Sequence, residues 1–211
     1  MRLAVVGANG RTGVKVVQQA LARGDDVIAI ARRPDEIQMR DERLVTAKAD
    51  ALDAAALLRA LDGATHVIST LGVGTSRALT TLYSQGTSNL LAAMDAEGIR
   101  RLAVVSAAPV GPRAEQPFLE RRVAMPILDR LFGATYEDMR RMETALGGSA
   151  ADWVALRPPR LVAKDATGHY RLDAAAPLRK GRSLTYGDLA TALLDSLDRP
   201  DLHRTAVYVA N

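Results

Sequence analysis

The chain has 211 residues, a formal net charge of +4 and no cysteine. At about 100–200 residues per domain, this length predicts a single domain over residues 1–211. The lack of cysteine excludes disulfides, thiolate catalysis and cysteine-ligated zinc. The basic residues are scattered, no apolar run is long enough to cross a bilayer, and the three histidines lack the spacing of a metal site. We therefore expect a soluble cytoplasmic protein that binds no metal, nucleic acid or membrane.

Short runs rich in Val, Ile, Leu and Ala alternate along the chain with segments of helical periodicity. Apolar runs of this kind are typical of a parallel sheet covered on both faces. The predicted strands are Leu3–Val6, Val27–Ile30, Leu44–Ala47, His66–Thr70, Leu102–Val105, Trp153–Leu156 and Ala206–Val209. The predicted helices are Thr12–Arg23, one beginning near Ala54, Thr81–Glu97, Tyr136–Leu146 and Tyr186–Leu197. Gly24 and Gly98 are expected to end two of these helices as C-terminal caps. The alternation predicts an α/β fold with a Rossmann-like, doubly wound parallel sheet flanked by helices.

The strongest functional signal directly follows the first predicted strand and opens the first helix. Its spacing is G-x-x-G-x-x-G, in which Gly7 permits a tight turn, Gly10 lets the backbone approach a pyrophosphate, and Gly13 lets the helix pack against the strand. Amides at a helix N-terminus also face bound phosphates favourably. The expected cofactor-binding residues here are Gly7, Asn9, Gly10, Arg11, Thr12 and Gly13.

The end of the second predicted strand bears on the choice of dinucleotide. NAD-binding sites usually place Asp or Glu there for the ribose 2′-hydroxyl, whereas a 2′-phosphate favours arginine. Here Arg32 and Arg33 follow the strand, and the acidic residues Asp35 and Glu36 come only after Pro34. Because a guanidinium can bind two phosphate oxygens at once, the sequence predicts NADP(H) as the cofactor. The alternative is that both arginines are solvated loop residues.

Two further strand ends are candidates for contact with the nucleotide. Asp50 and Ala51 follow the third strand, where the Asp50 carboxylate accepts a hydrogen bond from the adenine amino group or, alternatively, caps the next helix. Leu71 and Gly72 follow the fourth strand, where glycine permits a close approach of the backbone to the cofactor.

Regular alternation ends between Ala107 and Thr135, a segment with four prolines and several arginines. Its composition predicts a loop followed by irregular helix. Such a segment is either only a crossover connection or part of the wall of a substrate site, since loops beyond the carboxyl ends of parallel strands line such sites.

Five stretches carry a resemblance to a known family, namely Gly7–Gly13, Ala49–Leu52, Ser84–Met94, Arg141–Glu143 and Arg157–Arg160. In these stretches the chain resembles the atypical short-chain dehydrogenases/reductases, within the NAD(P)H-binding group that contains the NmrA-like proteins and biliverdin reductase B, also called flavin reductase. The resemblance spans nearly the whole chain. It implies a Rossmann sheet with a small C-terminal region on the substrate side, and NADPH-dependent reduction.

The resemblance also suggests two hydroxyl groups as catalytic candidates. The wider superfamily uses a Tyr-x-x-x-Lys helix motif, and this chain has Tyr136 with Arg140, whose guanidinium keeps the charge but cannot relay a proton. Tyr136 is therefore a candidate acid or a half-buried tyrosine of an amphipathic helix. Ser106 closes the fifth strand, where it suits hydrogen bonding to a carbonyl or to the nicotinamide carboxamide, or is purely structural. Ala107 stands where biliverdin reductase B has a second hydroxyl residue.

Pro158 and Arg160 lie in the turn after the sixth strand. The resemblance places this turn at the nicotinamide, with its backbone groups holding the carboxamide, and Arg160 stands where biliverdin reductase B has a histidine. An arginine here suits an anionic substrate, and the alternative is an arginine held in solvent by a rigid proline turn.

The function expected from these observations is that of an NADPH-dependent oxidoreductase, monomeric or homodimeric, acting on a small-molecule acceptor. The acceptor is expected to resemble a flavin, a tetrapyrrole or a quinone, because reduction of such compounds needs little acid catalysis from the protein. The alternative is an NmrA-like redox sensor that binds NADP without turnover.

Overall fold

An eight-stranded sheet forms the centre of the protein, as seen in a computed structural model that describes residues 1–74, 76, 78–116, 121–122 and 125–211. Its strands are β1 (Arg2–Val6), β2 (Asp26–Ala31), β3 (Leu44–Lys48), β4 (His66–Ser69), β5 (Arg101–Val105), β6 (Asp152–Arg157), β8 (Arg171–Asp173) and β10 (Thr205–Ala210). A separate two-strand ladder is formed by β7 (Arg160–Val162) and β9 (Ser183–Thr185). The five α-helices of the described residues are α1 (Arg11–Ala22), α2 (Ala54–Ala60), α3 (Leu82–Ala96), α4 (Met125–Gly148) and α5 (Tyr186–Leu197).

The strand order of the main sheet is β3-β2-β1-β4-β5-β6-β10-β8. All neighbours run parallel except β8, which pairs antiparallel with β10. From β1 the chain first adds strands on one side, through β2 and β3, and then returns to add β4 on the other. This reversal opens a crevice at the carboxyl ends of β1 and β4, which is the usual ligand position in such sheets. The predicted doubly wound Rossmann fold is confirmed.

Both faces of the sheet are covered by helices, which explains why the strands are apolar at nearly every position. On β1, Leu3 and Val5 face a core completed by α1 and α5, while Ala4 and Val6 face a second core completed by α2, α3 and α4. Successive side chains of a strand point to opposite faces, so a strand buried on both sides cannot show the polar alternation of a half-exposed one.

The predicted glycine caps end their helices in the expected way. Gly24 and Gly98 both have positive φ, +88° and +67°, and follow α1 and α3. In each case the residue after the glycine donates its amide back to the helix, from Asp25 to the Ala20 carbonyl and from Ile99 to the Met94 carbonyl. The boundaries of α1 and α3 are therefore set by local sequence.

Helix α4 differs from the sequence prediction at its start. The helix begins at Met125, so the irregular structure predicted up to Thr135 is wrong for residues 125–135. Residues 117–120 and 123–124 of the same segment lie outside the described residues. Pro126 is compatible with the helix because it occupies the first turn, where an amide has no intrahelical acceptor.

Between β6 and α5 the chain forms a small region of three short strands. Asp188 fixes this region to α5, since its buried carboxylate accepts five hydrogen bonds of 2.8 to 3.0 Å, from Thr167, Gly168, Thr185 and Asn211. Burial by itself would raise the pKa of Asp188, but these hydrogen bonds outweigh it and the pKa is lowered. Within the described part of the chain, no helix is both long and apolar enough to cross a membrane.

Candidate functional site

The glycine turn lies at the carboxyl end of β1, in the crevice between β1 and β4. The amides of Gly7 and Ala8 donate to the Ile30 carbonyl of β2 at 3.0 and 3.1 Å, and the amide of Gly10 donates to the Gly7 carbonyl at 2.9 Å. Gly7 has a φ of +84°, a conformation that other residues rarely adopt. The turn is thus locked to the end of β2 and directs the chain straight into α1.

Gly13 sets how closely α1 approaches the strand end. A Cβ atom on Gly13 would lie 2.3 Å from the Gly7 carbonyl oxygen, 2.8 Å from the Ala8 Cα and 2.9 Å from the Thr70 Oγ1. The first two of these are backbone atoms that cannot rotate away. Thr70 completes the contact from β4, because its buried hydroxyl donates to the carbonyls of Val6 and Gly7 at 3.0 and 3.1 Å.

The first turn of α1 offers open hydrogen-bond donors to an anion. Within the described residues, the amides of Arg11, Thr12 and Gly13 have no acceptor. No side chain of the described residues caps this helix and no acidic residue lies in its first turn, so its positive end is not neutralised locally. Gly10 is exposed in front of these amides. This arrangement fits the pyrophosphate of a dinucleotide.

Two predicted residues of this turn make contacts that hold neighbouring elements. Asn9 donates its side-chain amide to the Arg33 carbonyl at 2.6 Å and so ties the turn to the loop after β2. The Arg11 guanidinium lies 5.7 Å from the ring centre of Tyr186, whose hydroxyl it contacts at 3.3 Å, and it thereby connects α1 to the start of α5.

The two arginines after β2 differ in their surroundings. Arg33 forms an ion pair with Glu36 at 2.8 Å, although both side chains remain at least half exposed. Arg32 is exposed and has no ion-pair partner among the described residues. A guanidinium already bound to a carboxylate is less available to a phosphate. Arg32 is therefore the better placed of the two to meet a 2′-phosphate.

The predicted residues after β3 and β4 are brought together by α3. Gly86 of α3 lies so close that a Cβ there would be 3.1 Å from the Leu71 Cδ1 and 3.2 Å from the Ala51 Cβ. Asp50 accepts from the Leu52 amide at 3.0 Å and does not cap α2, whose cap is Asp53, so the capping alternative is wrong. Gly72 is exposed beside this cluster.

Ser106, Glu143 and Arg157 form a hydrogen-bonded cluster at the carboxyl ends of β5 and β6. The Ser106 hydroxyl donates to Glu143 of α4 at 2.7 Å. The same carboxylate accepts two hydrogen bonds from Arg157, at 3.0 and 2.6 Å, and both charged side chains are largely buried, 14% and 11% exposed. Burial opposes the charge of Arg157, but the hydrogen bonds with Glu143, together with the nearby charges of Glu143 and Glu115, outweigh it and raise the pKa of Arg157.

The direction of the Ser106 bond limits what this serine can do. A serine hydroxyl has one hydrogen, and here that hydrogen points to Glu143. The oxygen therefore keeps only lone pairs for a further partner, which must be a donor such as an amide N–H. Ser106 is thus suited to accept from a carboxamide and is not arranged to protonate a carbonyl.

The same cluster continues to β10 and to the loop after β5. The Tyr208 hydroxyl donates to Glu115 at 2.6 Å, and the Arg157 guanidinium lies 5.3 Å from the centre of the Tyr208 ring. Burial, with the Glu115 hydrogen bond second, raises the pKa of Tyr208. A Cβ on Gly111 would overlap the Tyr208 hydroxyl, so the loop after β5 passes directly over this tyrosine.

The candidate Tyr136–Arg140 pair is not assembled. Tyr136 is partly buried and packs against the core on the α4 side of the sheet, with its ring centre 6.1 Å from that of Phe132. Burial raises the pKa of Tyr136, which makes it a weaker acid. Arg140 points elsewhere, since it pairs with Glu137 at 3.2 Å and contacts the Pro109 carbonyl.

In the turn after β6, the Pro158 carbonyl accepts from the Ala108 amide at 2.8 Å, which joins the two loops that follow β5 and β6. Arg160 is exposed at the start of β7 and forms no ion pair with the described residues. The structure thus places Ser106, Pro158 and Arg160 at one edge of the sheet, while Tyr136 lies in the helical layer beside it.

Several residues of the site escaped sequence reasoning. Glu143 and Arg157 lie within stretches that carry the family resemblance, and Thr70 directly precedes the predicted Leu71 and Gly72, whereas Glu115 gave no signal. Asp138 is fully buried and accepts from the Tyr83 amide at 2.8 Å, so a residue of α4 caps α3.

Among the described residues, no group of three or more His, Cys, Asp or Glu could hold a metal ion.

The sheet with its switch point at β1 and β4, the glycine turn and the open amides of α1 define a dinucleotide-binding Rossmann protein. The sequence matches the NAD(P)H-binding family over residues 7–200. The chain belongs to that family.

Individual relatives are more distant. Cinnamoyl-CoA reductase 1 from Oryza sativa subsp. japonica is 35% identical over 111 residues, which make up 48% of this chain and 33% of that protein. The match therefore spans about a third of the length of this curated relative. The oxidoreductase ylbE from Lactococcus lactis has a TM-score of 0.84 at 17% identity, covering 100% of this chain and 91% of that one. A wide-type short-chain dehydrogenase/reductase from Veillonella parvula DSM 2008, solved in complex with NADP, has a TM-score of 0.83 at 18% identity, covering 100% and 94%. At these identities the likeness to solved structures shows the fold.

Proposed function

We propose that the protein is an NADPH-dependent reductase that acts on a small flavin-, tetrapyrrole- or quinone-like acceptor. The observation that carries this proposal is the set of three open amides of α1, placed by the Gly7–Gly13 turn beside the exposed Arg32. NADPH, when bound, supplies the hydride. The oxidoreductases among the structural neighbours support the same class of reaction.

The preference for NADP(H) rests on the loop after β2. No carboxylate directly follows β2 to accept a hydrogen bond from a ribose 2′-hydroxyl. Glu36, further along the same loop, forms an ion pair with Arg33. Arg32 would meet the 2′-phosphate, as a charge-assisted contact that NADH cannot make. The neighbour solved with NADP supports this choice of cofactor.

The choice of acceptor rests on the hydroxyl groups at the carboxyl edge of the sheet. The Ser106 hydroxyl donates to Glu143 and the Tyr208 hydroxyl donates to Glu115, so neither holds a free proton for a substrate. Tyr136 is partly buried against the core, and burial raises its pKa. Flavins, quinones and linear tetrapyrroles can take their proton from water after hydride transfer, so they suit a site without a protein acid.

The same observation favours a second candidate, a redox sensor that binds NADP without turnover. A protein that only reports the redox state of its nicotinamide needs no general acid, and the engaged hydroxyls of Ser106 and Tyr208 fit that role equally. The two candidates differ in turnover alone, which makes them easy to separate.

Steady-state oxidation of NADPH, followed by its absorbance with riboflavin, biliverdin and a set of quinones, tests the reductase. We expect turnover with at least one class of acceptor. Tight NADPH binding without turnover on the whole panel would contradict the reductase and select the sensor.

Matched variants test the cofactor assignment. Arg32→Gln should weaken NADPH binding at least about tenfold, which corresponds to about 1.4 kcal/mol, and leave NADH binding unchanged. Arg33→Gln, which removes the arginine already paired with Glu36, should have a smaller effect. Equal losses of NADPH and NADH affinity in Arg32→Gln would refute the contact with the 2′-phosphate.

A further inference from the structure

The net positive charge of the chain arises in one segment. Residues 157–185, which run from the end of β6 to the end of β9, contain seven basic and two acidic side chains and have a net charge of +5. The whole chain has a net charge of +4, so the remainder is close to neutral at −1. This segment therefore dominates the electrostatic field of the protein.

Four of these cations lie close together and have no carboxylate partner. They are Arg160, Arg179, Lys180 and Arg182, all exposed and none in an ion pair with the described residues. Arg160 lies opposite Ser183 in the ladder of β7 and β9, one residue from Arg182. Adjacent strands are separated by about 4.8 Å, so the backbones at Arg160 and Arg182 lie close together at the start of the ladder. We call these four residues the basic cluster.

The turn that carries the basic cluster is held in a restrained conformation. Lys180 has a φ of +60°, in the left-handed region that residues other than glycine rarely adopt. Arg171 donates to the Arg179 carbonyl at 3.3 Å, which adds a further guanidinium under the turn. Strained backbone of this kind is often found where a protein binds a ligand.

The turn lies against the candidate site. Gly181 and Leu178 form a narrow crevice with Ala108, which follows β5, and Pro159, which follows β6. Ala108 is two residues from Ser106, and Pro159 adjoins Arg160. The basic cluster therefore borders the carboxyl edge of the sheet, where an acceptor would meet the nicotinamide in a fold of this type.

We propose that the basic cluster is an anion subsite for the acceptor, so that the preferred acceptor carries a phosphate or a carboxylate. The proposal rests on the proposed function in that it places an acceptor beside Ser106. It adds a substrate class, because a neutral flavin or quinone gains nothing from these cations, whereas an anionic group forms charge-assisted hydrogen bonds with Arg160 and Arg182.

Flavins provide a matched set of probes. Riboflavin is neutral, FMN differs from it by one phosphate, and a flavin whose side chain ends in a carboxylate represents the other anion. Quenching of flavin fluorescence on titration with the NADP⁺-saturated protein measures affinity without any need for turnover. We expect the wild type to bind FMN, the carboxylate-bearing flavin or both at least about tenfold more tightly than riboflavin, and which of the two it prefers identifies the anion.

Variants assign this preference to the cluster. Arg160→Gln combined with Arg182→Gln should bring the affinity ratio of the anionic flavin to riboflavin close to one. Arg59→Gln removes an equally exposed arginine from the far end of α2 and should leave the ratio unchanged. Because exposed charges are screened by salt, the wild-type ratio should also fall when the salt concentration rises from about 0.05 M to about 0.5 M.

Equal affinity of the wild type for all three flavins, failure to bind either anionic flavin, or an equal loss in Arg59→Gln would overturn the anion subsite. Turnover is measured separately on the same proteins with NADPH and each of the three flavins, alongside biliverdin and the quinones. An anionic preference in binding without turnover of any of these acceptors would leave the subsite standing and refute the reductase. Turnover of riboflavin without any preference for an anionic flavin would refute the anion subsite and leave the reductase standing.

Discussion

The contact of α1 with the glycine turn predicts a specific effect for Gly13→Ala. In a helix, alanine is normally favoured over glycine by up to about 1 kcal/mol. At this position the new methyl group would lie 2.3 Å from the Gly7 carbonyl oxygen and 2.8 Å from the Ala8 Cα, distances that require backbone movement. Overpacking of this kind costs about 1–3 kcal/mol. After subtraction of the helical preference for alanine, we expect a net loss of up to about 2 kcal/mol in the free energy of unfolding.

The same movement would displace the open amides of α1 from the glycine turn. We expect the affinity for NADPH to fall at least about tenfold, since the phosphate contacts depend on both elements together. Urea denaturation monitored by circular dichroism measures the first effect, and titration of NADPH fluorescence measures the second.

Gly133→Ala is the matched control. Gly133 lies within α4, and a Cβ there would have no heavy atom within 4 Å. This variant should gain up to about 1 kcal/mol in stability and bind NADPH as the wild type does. If Gly13→Ala behaved like Gly133→Ala in both measurements, the argument from close approach would be refuted.

Three further predictions follow from the buried polar groups. Glu143→Ala should lower the free energy of unfolding by about 3–5 kcal/mol because it leaves Arg157 buried without its main partner, and Glu143→Gln should lower it less. The folded pKa of Asp188 is lowered, so its contribution to stability is complete above the pKa of an unfolded aspartate, about 4, and is lost as the pH falls through the folded value. The stability difference between wild type and Asp188→Asn should therefore shrink between pH 5 and pH 3. Tyr136→Phe should reduce kcat by less than about tenfold, against about 10²–10⁴-fold for removal of a general acid.

Each of these has a control or an opposing outcome. Glu137→Ala breaks the exposed ion pair with Arg140 on the same helix and should lower the free energy of unfolding by less than about 1 kcal/mol. An equally small loss in Glu143→Ala would contradict the structural role of Glu143. A difference for Asp188→Asn that does not change with pH would show that its charge is not what stabilises the fold. A drop of a hundredfold or more in Tyr136→Phe would restore this tyrosine as the acid.

Local sequence was sufficient where neighbouring residues decide the structure. The glycine turn needs a positive φ at Gly7 and a missing side chain at Gly13, and both requirements are met within seven residues. The seven predicted strands are all present. The apolar runs of the inner strands reflect burial on both faces of the sheet, whereas β3 lies at the edge of the sheet and has no fully buried residue. Local sequence also sets the helix ends at Gly24 and Gly98. The extra strands β7, β8 and β9 have only three residues each, too few for a periodic pattern to reveal them.

The polar contacts of the site depended on the tertiary structure. Sequence analysis named Ser106, but its partner Glu143 is 37 residues away, and Tyr208 lies 93 residues from Glu115. Any of several carboxylates has the chemistry to accept these hydrogen bonds, and only the packing of α4 and β10 against the ends of β5 and β6 selects among them. The sequence determined by itself that this chain folds as a dinucleotide-binding sheet. Contacts between distant residues decided which hydroxyl groups can still donate a proton and which arginines remain unpaired. Hydrogen bonding depends on distance in space and not on separation along the chain.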